Sequence, residues 1–268
     1  MTSAQLILAI MVAGSRPGFA AGERDVPQWE RVLNDVLTRA EAERSELRAD
    51  ESSEAKLSFS PAAPAAKAKS PHPIVAGFVR YFSSAGAKHF QASQKRLESF
   101  RAMIEQVFEQ EGLPRELLWV GLVESGYDPA ARSPKNAVGI WQLIPETAET
   151  FGLRMSGRDE RIDPLKSTRA AARYLKFLYA RFGDWPLTLA AYNAGERRVQ
   201  SAIVKGQTTD FWRLAESGLL PRETQAYVPA VMAAQYLGEG RLGELADAHD
   251  SIQRTTGKVV FATIGVSP

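Results

Sequence analysis

From residue 74 onward, apolar residues recur at helical spacing between strong start and stop signals, and that alternation leaves few choices of fold. In 94–110, Leu97, Phe100, Ile104, Val107 and Phe108 make one apolar stripe. Gly112 ends that helix, and Pro114 suits the first turn of the next, where a missing N–H costs nothing. On this second helix Leu117, Val120, Gly121 and Glu124 fall on one stripe, before Gly126 and Asp128-Pro129 break the chain. Asp163-Pro164 is an N-cap followed by a first-turn proline. The helix it opens lines up Leu165, Ala172, Leu175, Tyr179 and Phe182 and stops at Gly183. Asp184-Trp185-Pro186 starts another, which ends at Gly195 with the composition of a left-handed cap. Asp210 and Pro221 open the last two. The expectation is an all-α, multi-helix domain.

Glu124 stands out within that pattern. It is a single carboxylate at the C-terminal end of an apolar helix face. Desolvation and the negative end of the helix both disfavour its charged form. A carboxyl that keeps its proton near neutral pH is what a general acid needs. A lone glutamate at a helix end is ordinarily a solvated one, so its significance depends on the residues C-terminal to it.

Glu124-Ser-Gly-Tyr-Asp-Pro129 is followed by Ala131-Arg-Ser-Pro-Lys-Asn-Ala-Val-Gly-Ile-Trp-Gln-Leu-Ile-Pro-Glu-Thr-Ala148. Later come Ala190-Ala-Tyr-Asn-Ala-Gly-Glu196 and Leu220-Pro-Arg-Glu-Thr-Gln-Ala-Tyr-Val-Pro229. In this order and spacing they resemble the four motifs of lytic transglycosylases with the goose-type lysozyme-like (soluble lytic transglycosylase, SLT) domain. The similarity is to the membrane-bound lytic transglycosylase D type, whose lead-in resembles His72-Pro-Ile-Val75 with Tyr81, Phe82 and Phe90. It spans about 71–237. Asn136 stands where family members commonly carry Gly, and Asn is the next best residue for a left-handed conformation. Ile140 replaces the commoner Leu.

The resemblance implies a lysozyme-like domain with a deep glycan cleft and assigns roles residue by residue. Glu124 becomes the catalytic acid and base. Ser133 and Gln142 become polar contacts to the sugar near the acid, although a capping Ser and a solvent-facing Gln are the plain alternatives. Tyr192 positions the acid or the glycan, Asn193 braces the cleft, and Tyr227 lines it. A buried tyrosine needs a partner for its hydroxyl, and for Tyr192 an unpaired Glu124 would supply one. Trp141 reads as core rather than sugar platform.

No clear second catalytic carboxylate is legible, although ordinary glycosidases use two. Asp128, Glu146 and Glu196 are explained equally well as caps and turns. The resembled family manages with one. Its glutamate protonates the oxygen between N-acetylmuramic acid and N-acetylglucosamine, and the substrate's acetamido oxygen stabilises the cation. The same group then deprotonates the muramyl C6 hydroxyl, which closes a 1,6-anhydro ring without water. A hydrolytic muramidase and a catalytically inactive glycan-binding envelope protein are the alternatives.

Composition fits an enzyme acting on an envelope polymer. The chain has 268 residues, 44% of them hydrophobic, enough for one good core with appendages. A net charge of +2 is too weak to point to nucleic acid. With no cysteine, thiolate catalysis, Cys-ligated zinc and a lipoprotein anchor are excluded. The three histidines (72, 89, 249) have no metal-ligand spacing, so neither metal nor cofactor is expected. Residues 1–20 read as a signal peptide: an apolar core at Leu6–Ala13, then small residues at Gly18 and Ala20. Residues 21–50 carry an amphipathic helical pattern (Val32, Leu33, Val36, Leu37, Ala40) suited to the catalytic domain or an envelope protein partner. Residues 51–73 read as a Pro/Ala-rich linker, 74–240 as the catalytic domain, and 241–268 as a tail in which 259–264 could pair as a strand. The expected location is the periplasm or cell envelope, and the expected partner is the peptidoglycan glycan strand.

Overall fold

The computed structural model describes residues 72–241 and, outside that span, Thr38 alone. The expected signal peptide, the rest of the N-terminal amphipathic segment, nearly all of the linker and the C-terminal tail lie outside the described residues. The described part is helical: α1 Pro73–Ser83, α2 Ala87–Glu98, α3 Arg101–Glu111, α4 Leu118–Ser125, α5 Pro145–Thr150, α6 Pro164–Phe182, α7 Trp185–Ala194, α8 Glu196–Gly206, α9 Phe211–Glu216 and α10 Arg222–Gly238. Single 3₁₀ turns at Arg115–Leu117 and Glu160–Ile162 precede α4 and α6. Only isolated bridges of Val138 to Arg132 and Leu143 represent β structure among the described residues.

The capping chemistry placed most boundaries correctly. Asp163, Asp184 and Asp210 accept hydrogen bonds from Lys166 N, Leu187 N and Trp212 N at 3.0, 2.9 and 2.8 Å. Gly112 and Gly183 are left-handed at their helix ends. Helix α1 begins at Pro73, the last residue assigned to the linker, because His72 caps it.

Four local expectations change. The 94–110 stripe is two helices, broken at Ser99–Phe100, where N–H groups reach back three residues to Arg96 and Leu97 instead of four. Pro114 is extended, with φ −60° and ψ 135°, and stands just before the 3₁₀ turn rather than inside the helix. On α6, Leu165 and Tyr179 are exposed, and the buried face is built from Ser167, Ala171, Leu175 and Leu178. Small residues on that face let α6 lie close to its neighbours α3 and α7. Gly195 is not left-handed: its φ of 88° and ψ of 143° lie in a region open to glycine alone. That conformation turns α7 directly into α8.

Helix α4 is the central element. All eight of its residues are buried, so it is a core helix rather than an amphipathic one. The long helix α10 packs against α1, α4 and α7. Aromatic rings fill the space around α4, with Trp119 beside Phe90 on one side and Trp141 between Phe108 and Tyr127 on the other. Among the described residues no helix is long and apolar enough to cross a membrane.

Candidate active site

Glu124 is the penultimate residue of α4 and is only 3% exposed. Its one hydrogen bond among the described residues comes from Tyr227, whose hydroxyl donates to Oε1 at 2.7 Å. Its Oε2 is not among the buried atoms sealed off without a partner. Burial pushes the carboxyl up to about 8 against the pull of the Tyr227 bond, and the charge of Glu223 adds to the rise. A second carboxylate therefore adds to the burial anticipated from the sequence.

The chain leaves α4 through a left-handed Gly126 and enters a loop that folds back over the helix end. Ser125 Oγ donates to Ile140 O at 3.0 Å, tying the loop to the residue next to Glu124. Asn136 adopts φ 59°, the left-handed conformation expected of it. Gly139 has φ 83° and leaves no room for a side chain: a Cβ there would stand 2.1 Å from the carbonyl oxygen of Arg161. Arg161, 2% exposed, reaches through this gap. Its Nη1 donates to Asn136 O at 2.6 Å and Leu143 O at 3.0 Å. Its Nε and Nη2 donate to the two oxygens of Asp159 at 3.0 and 2.8 Å. The loop is thus stapled by buried Arg161 and its ion pair with a half-buried Asp159.

The loop carries two of the sequence-derived candidates. Ser133 is buried and its Oγ accepts from Ala137 N at 3.0 Å, a loop-closing contact. Gln142 is 6% exposed, not solvent-facing, and sits at φ 47°. Its amide nitrogen donates to Ala131 O and Gly139 O at 3.2 and 2.9 Å. Its Oε1 is the one buried side-chain polar atom without a partner among the described residues. Trp141 is fully buried and donates to Thr168 Oγ1 at 2.9 Å, as a core residue should.

The tyrosine bonded to Glu124 is not the one expected. The Tyr192 hydroxyl donates to Trp141 O at 2.7 Å, not to Glu124. Glu124 is instead held by Tyr227, which the sequence marked only as cleft-lining. Tyr192 remains close enough for the charge of Glu124 to push its phenol further up. Asn193 joins two helices: its Oδ1 accepts from Thr224 Oγ1 at 2.7 Å and its Nδ2 donates to Glu223 Oε1 at 3.4 Å. These bonds dock the end of α7 on the first turn of α10. Asp128 is a turn residue whose Oδ1 accepts from Ala130 N at 2.9 Å. Glu146 lies exposed in the first turn of α5. Sequence reasoning missed Glu223 as a partner of the site, although its i, i+4 spacing from Tyr227 was available. It also missed Arg161 and Asp159. No group of three or more His, Asp or Glu among the described residues could hold a metal.

Residues 102–215 match the family described as Transglycosylase SLT domain. Over these residues the chain is similar to that family. They include Glu124, the loop and the Tyr192–Asn193 pair, while Tyr227 and Glu223 lie just beyond the match. The membrane-bound lytic murein transglycosylase D of Escherichia coli K12 is 43% identical over 144 residues, covering 52% of this chain and 31% of that protein. The membrane-bound lytic murein transglycosylase F 1 of Alkalilimnicola ehrlichii is 33% identical over 147 residues, covering 50% of this chain and 28% of that protein. The solved 70 kDa soluble lytic transglycosylase of E. coli aligns with a TM-score of 0.49 and 23% identity over 66% of this chain and 32% of its own. The chain spans about a third of the length of these relatives. The sequence resemblance to SLT lytic transglycosylases of the D type is borne out by the family match and the first of these relatives.

Proposed function

We propose that the SLT-like domain of this chain is a peptidoglycan lytic transglycosylase in the cell envelope, with Glu124 as its single acid and base. The observation that carries the reading is a buried carboxyl, held by one tyrosine and pushed up to about 8. Such a group carries a proton at neutral pH and releases it to a substrate oxygen at little cost. Lytic transglycosylase relatives support the substrate class.

Glu124 donates its proton to the glycosidic oxygen as the bond to the muramyl anomeric carbon breaks. The N-acetylglucosamine unit leaves as an alcohol, and the muramyl acetamido oxygen stabilises the cation. Glu124, now a carboxylate, takes the proton of the muramyl C6 hydroxyl as O6 bonds to the anomeric carbon. The product is a 1,6-anhydromuramyl end, the acid is restored and no water is consumed. Tyr227 fixes the carboxyl throughout. Gln142 Oε1, the unpartnered buried acceptor, receives a donor from the sugar, and Ser133 contributes to the same wall of the cleft. Tyr192 fixes the loop through Trp141 O. Asn193 holds α10 in register with α7.

One observation favours a second reading, the hydrolytic muramidase. Glu223 supplies a further carboxylate near the acid, and a hydrolase needs one to place water. Mass spectrometry of purified sacculi digested with the protein separates the two. Transglycosylation gives ends lighter by one water that resist borohydride reduction. Predominantly reducible muramic ends would move the assignment to the hydrolase.

A further inference from the structure

We propose that Glu223 is a positioning residue for the acid: a carboxylate fixed beside the Glu124–Tyr227 pair, which holds the catalytic proton on Glu124. The inference rests on the reading of Glu124 as the acid and adds to it the group that sets its protonation.

Placement comes first. Glu223 and Tyr227 are one turn apart on α10, and side chains at that spacing share a face. Tyr227 is the residue bonded to Glu124, so Glu223 sits over the same contact.

The bonds around Asn193 fix the position of Glu223. The Thr224 hydroxyl donates to Asn193 Oδ1, which turns the amide nitrogen of Asn193 toward Glu223 Oε1. A donor is thus aimed at a carboxyl oxygen, which holds the Glu223 side chain in place. Flipping the amide would set two acceptors against each other. Glu223 is also only partly buried, whereas Glu124 is 3% exposed, so the two nearby carboxyls have different surroundings.

The other groups around Glu124 do not replace this carboxylate. Tyr227 on α10, Tyr192 on α7 and Tyr174 on α6 are phenols that burial pushes up. Arg96 on α2 donates to Gly126 O, and Arg101 on α3 pairs with Glu98 and Glu105. Arg115 and Glu116, in the turn before α4, pair with each other at the surface. Glu196, at the start of α8, acts on Tyr174. Glu223 is the formal charge felt by both Glu124 and Tyr227. Its field opposes loss of the proton from Glu124 at rest. After that proton has gone to the leaving oxygen, the same field sets two carboxylates against each other. That repulsion draws the C6 proton back to Glu124 and makes it the stronger base.

The test is carbon-13 NMR of the full chain with labelled glutamate carboxyls, the Glu124 signal being assigned by its loss in Glu124→Gln. In Glu223→Gln the Glu124 midpoint should fall by roughly one pH unit, a ~10-fold change in ionised fraction on the alkaline side. Glu223→Asp keeps the charge and should restore most of the midpoint. Glu223→Ala, which adds no amide donor, must shift it in the same direction as Gln. The alkaline limb of turnover on sacculi should move down by the same interval, with the acid plateau kept within a few-fold. An unmoved midpoint in a folded Glu223→Gln or Glu223→Ala variant overturns the proposal. So does a uniform loss of rate at every pH with the midpoint unchanged, which marks a substrate contact instead. If the wild-type chain releases nothing from sacculi, the proposed function fails, while the titration still decides the role of Glu223.

Discussion

Arg161 and Glu124 are buried to nearly the same degree, at 2% and 3% exposure, yet burial has opposite consequences for them. Arg161 is surrounded by acceptors: both oxygens of Asp159 and the carbonyls of Asn136 and Leu143. Its charge is matched where it stands, and the Arg161 bonds in turn hold Asp159 below the usual carboxylate range. Glu124 has one donor, from Tyr227, and a second carboxylate nearby. Its surroundings favour the neutral acid. Burial alone does not decide a charge state; the partners supplied inside do. The well-partnered ion shapes the loop, and the poorly partnered one is pushed toward the neutral acid that the proposed chemistry needs.

The largest effect should come from removing that proton. Glu124→Gln keeps an acceptor for Tyr227 and nearly the same shape, but the amide cannot act as an acid. Turnover on sacculi should fall by ~10²–10⁴ or more with the fold retained. Near-normal turnover by a folded variant would remove Glu124 from its role.

The opposite manipulation strips the partners from the matched ion. Arg161→Met removes the side-chain donor to Asn136 O, one of two donors to Leu143 O and the main partner of Asp159, and should cost ~1–3 kcal/mol in denaturant unfolding. A cost below ~1 kcal/mol would mean that the loop is not stapled by this residue.

The same contrast fixes a sign for stability against pH. In the folded chain Glu124 is raised to about 8, above its ordinary value of 4.5. Below pH 4.5 the group is protonated in both states and costs nothing. As pH rises toward 8 the unfolded chain ionises there and the folded one does not, so stability is lost. Glu124→Gln should therefore be the more stable protein near pH 7, by on the order of 1–3 kcal/mol, with the gap closing toward pH 4. A gap independent of pH would contradict the assignment.

Tyr227→Phe should have the smallest effect. It removes the one bond that lowers the Glu124 carboxyl, so the alkaline limb of activity should move upward. The stability cost should be about 1 kcal/mol. A downward shift would show that the hydroxyl does not donate to the carboxyl.

Much of this was legible in the chain because its signals are local. Asp163, Asp184 and Asp210 mark helix starts by hydrogen bonds within three residues, and Asn136 marks a left-handed turn by its own conformation. Glu124 was legible as a carboxyl at the end of an apolar helix with family motifs beyond it. The contacts that escaped depend on distance along the chain. Tyr227 meets Glu124 across 103 residues, and the Arg161 bonds to Asn136 and Leu143 cross 25 and 18. Nothing local says which of two buried tyrosines reaches the acid. The break at Ser99–Phe100 was invisible for a different reason: a short tightening of the turn leaves the apolar spacing intact on both sides.

Burial with few partners pushes Glu124 up to about 8, and every step proposed for it depends on a proton held at neutral pH. Carbon-13 titration of its carboxyl in the wild-type chain measures the protonation itself. The carboxyl should still be protonated at pH 7 and lose its proton with a midpoint near 8. A midpoint near the ordinary 4.5, with the carboxylate already formed at pH 6, would refute this protonation state and the acid role built on it.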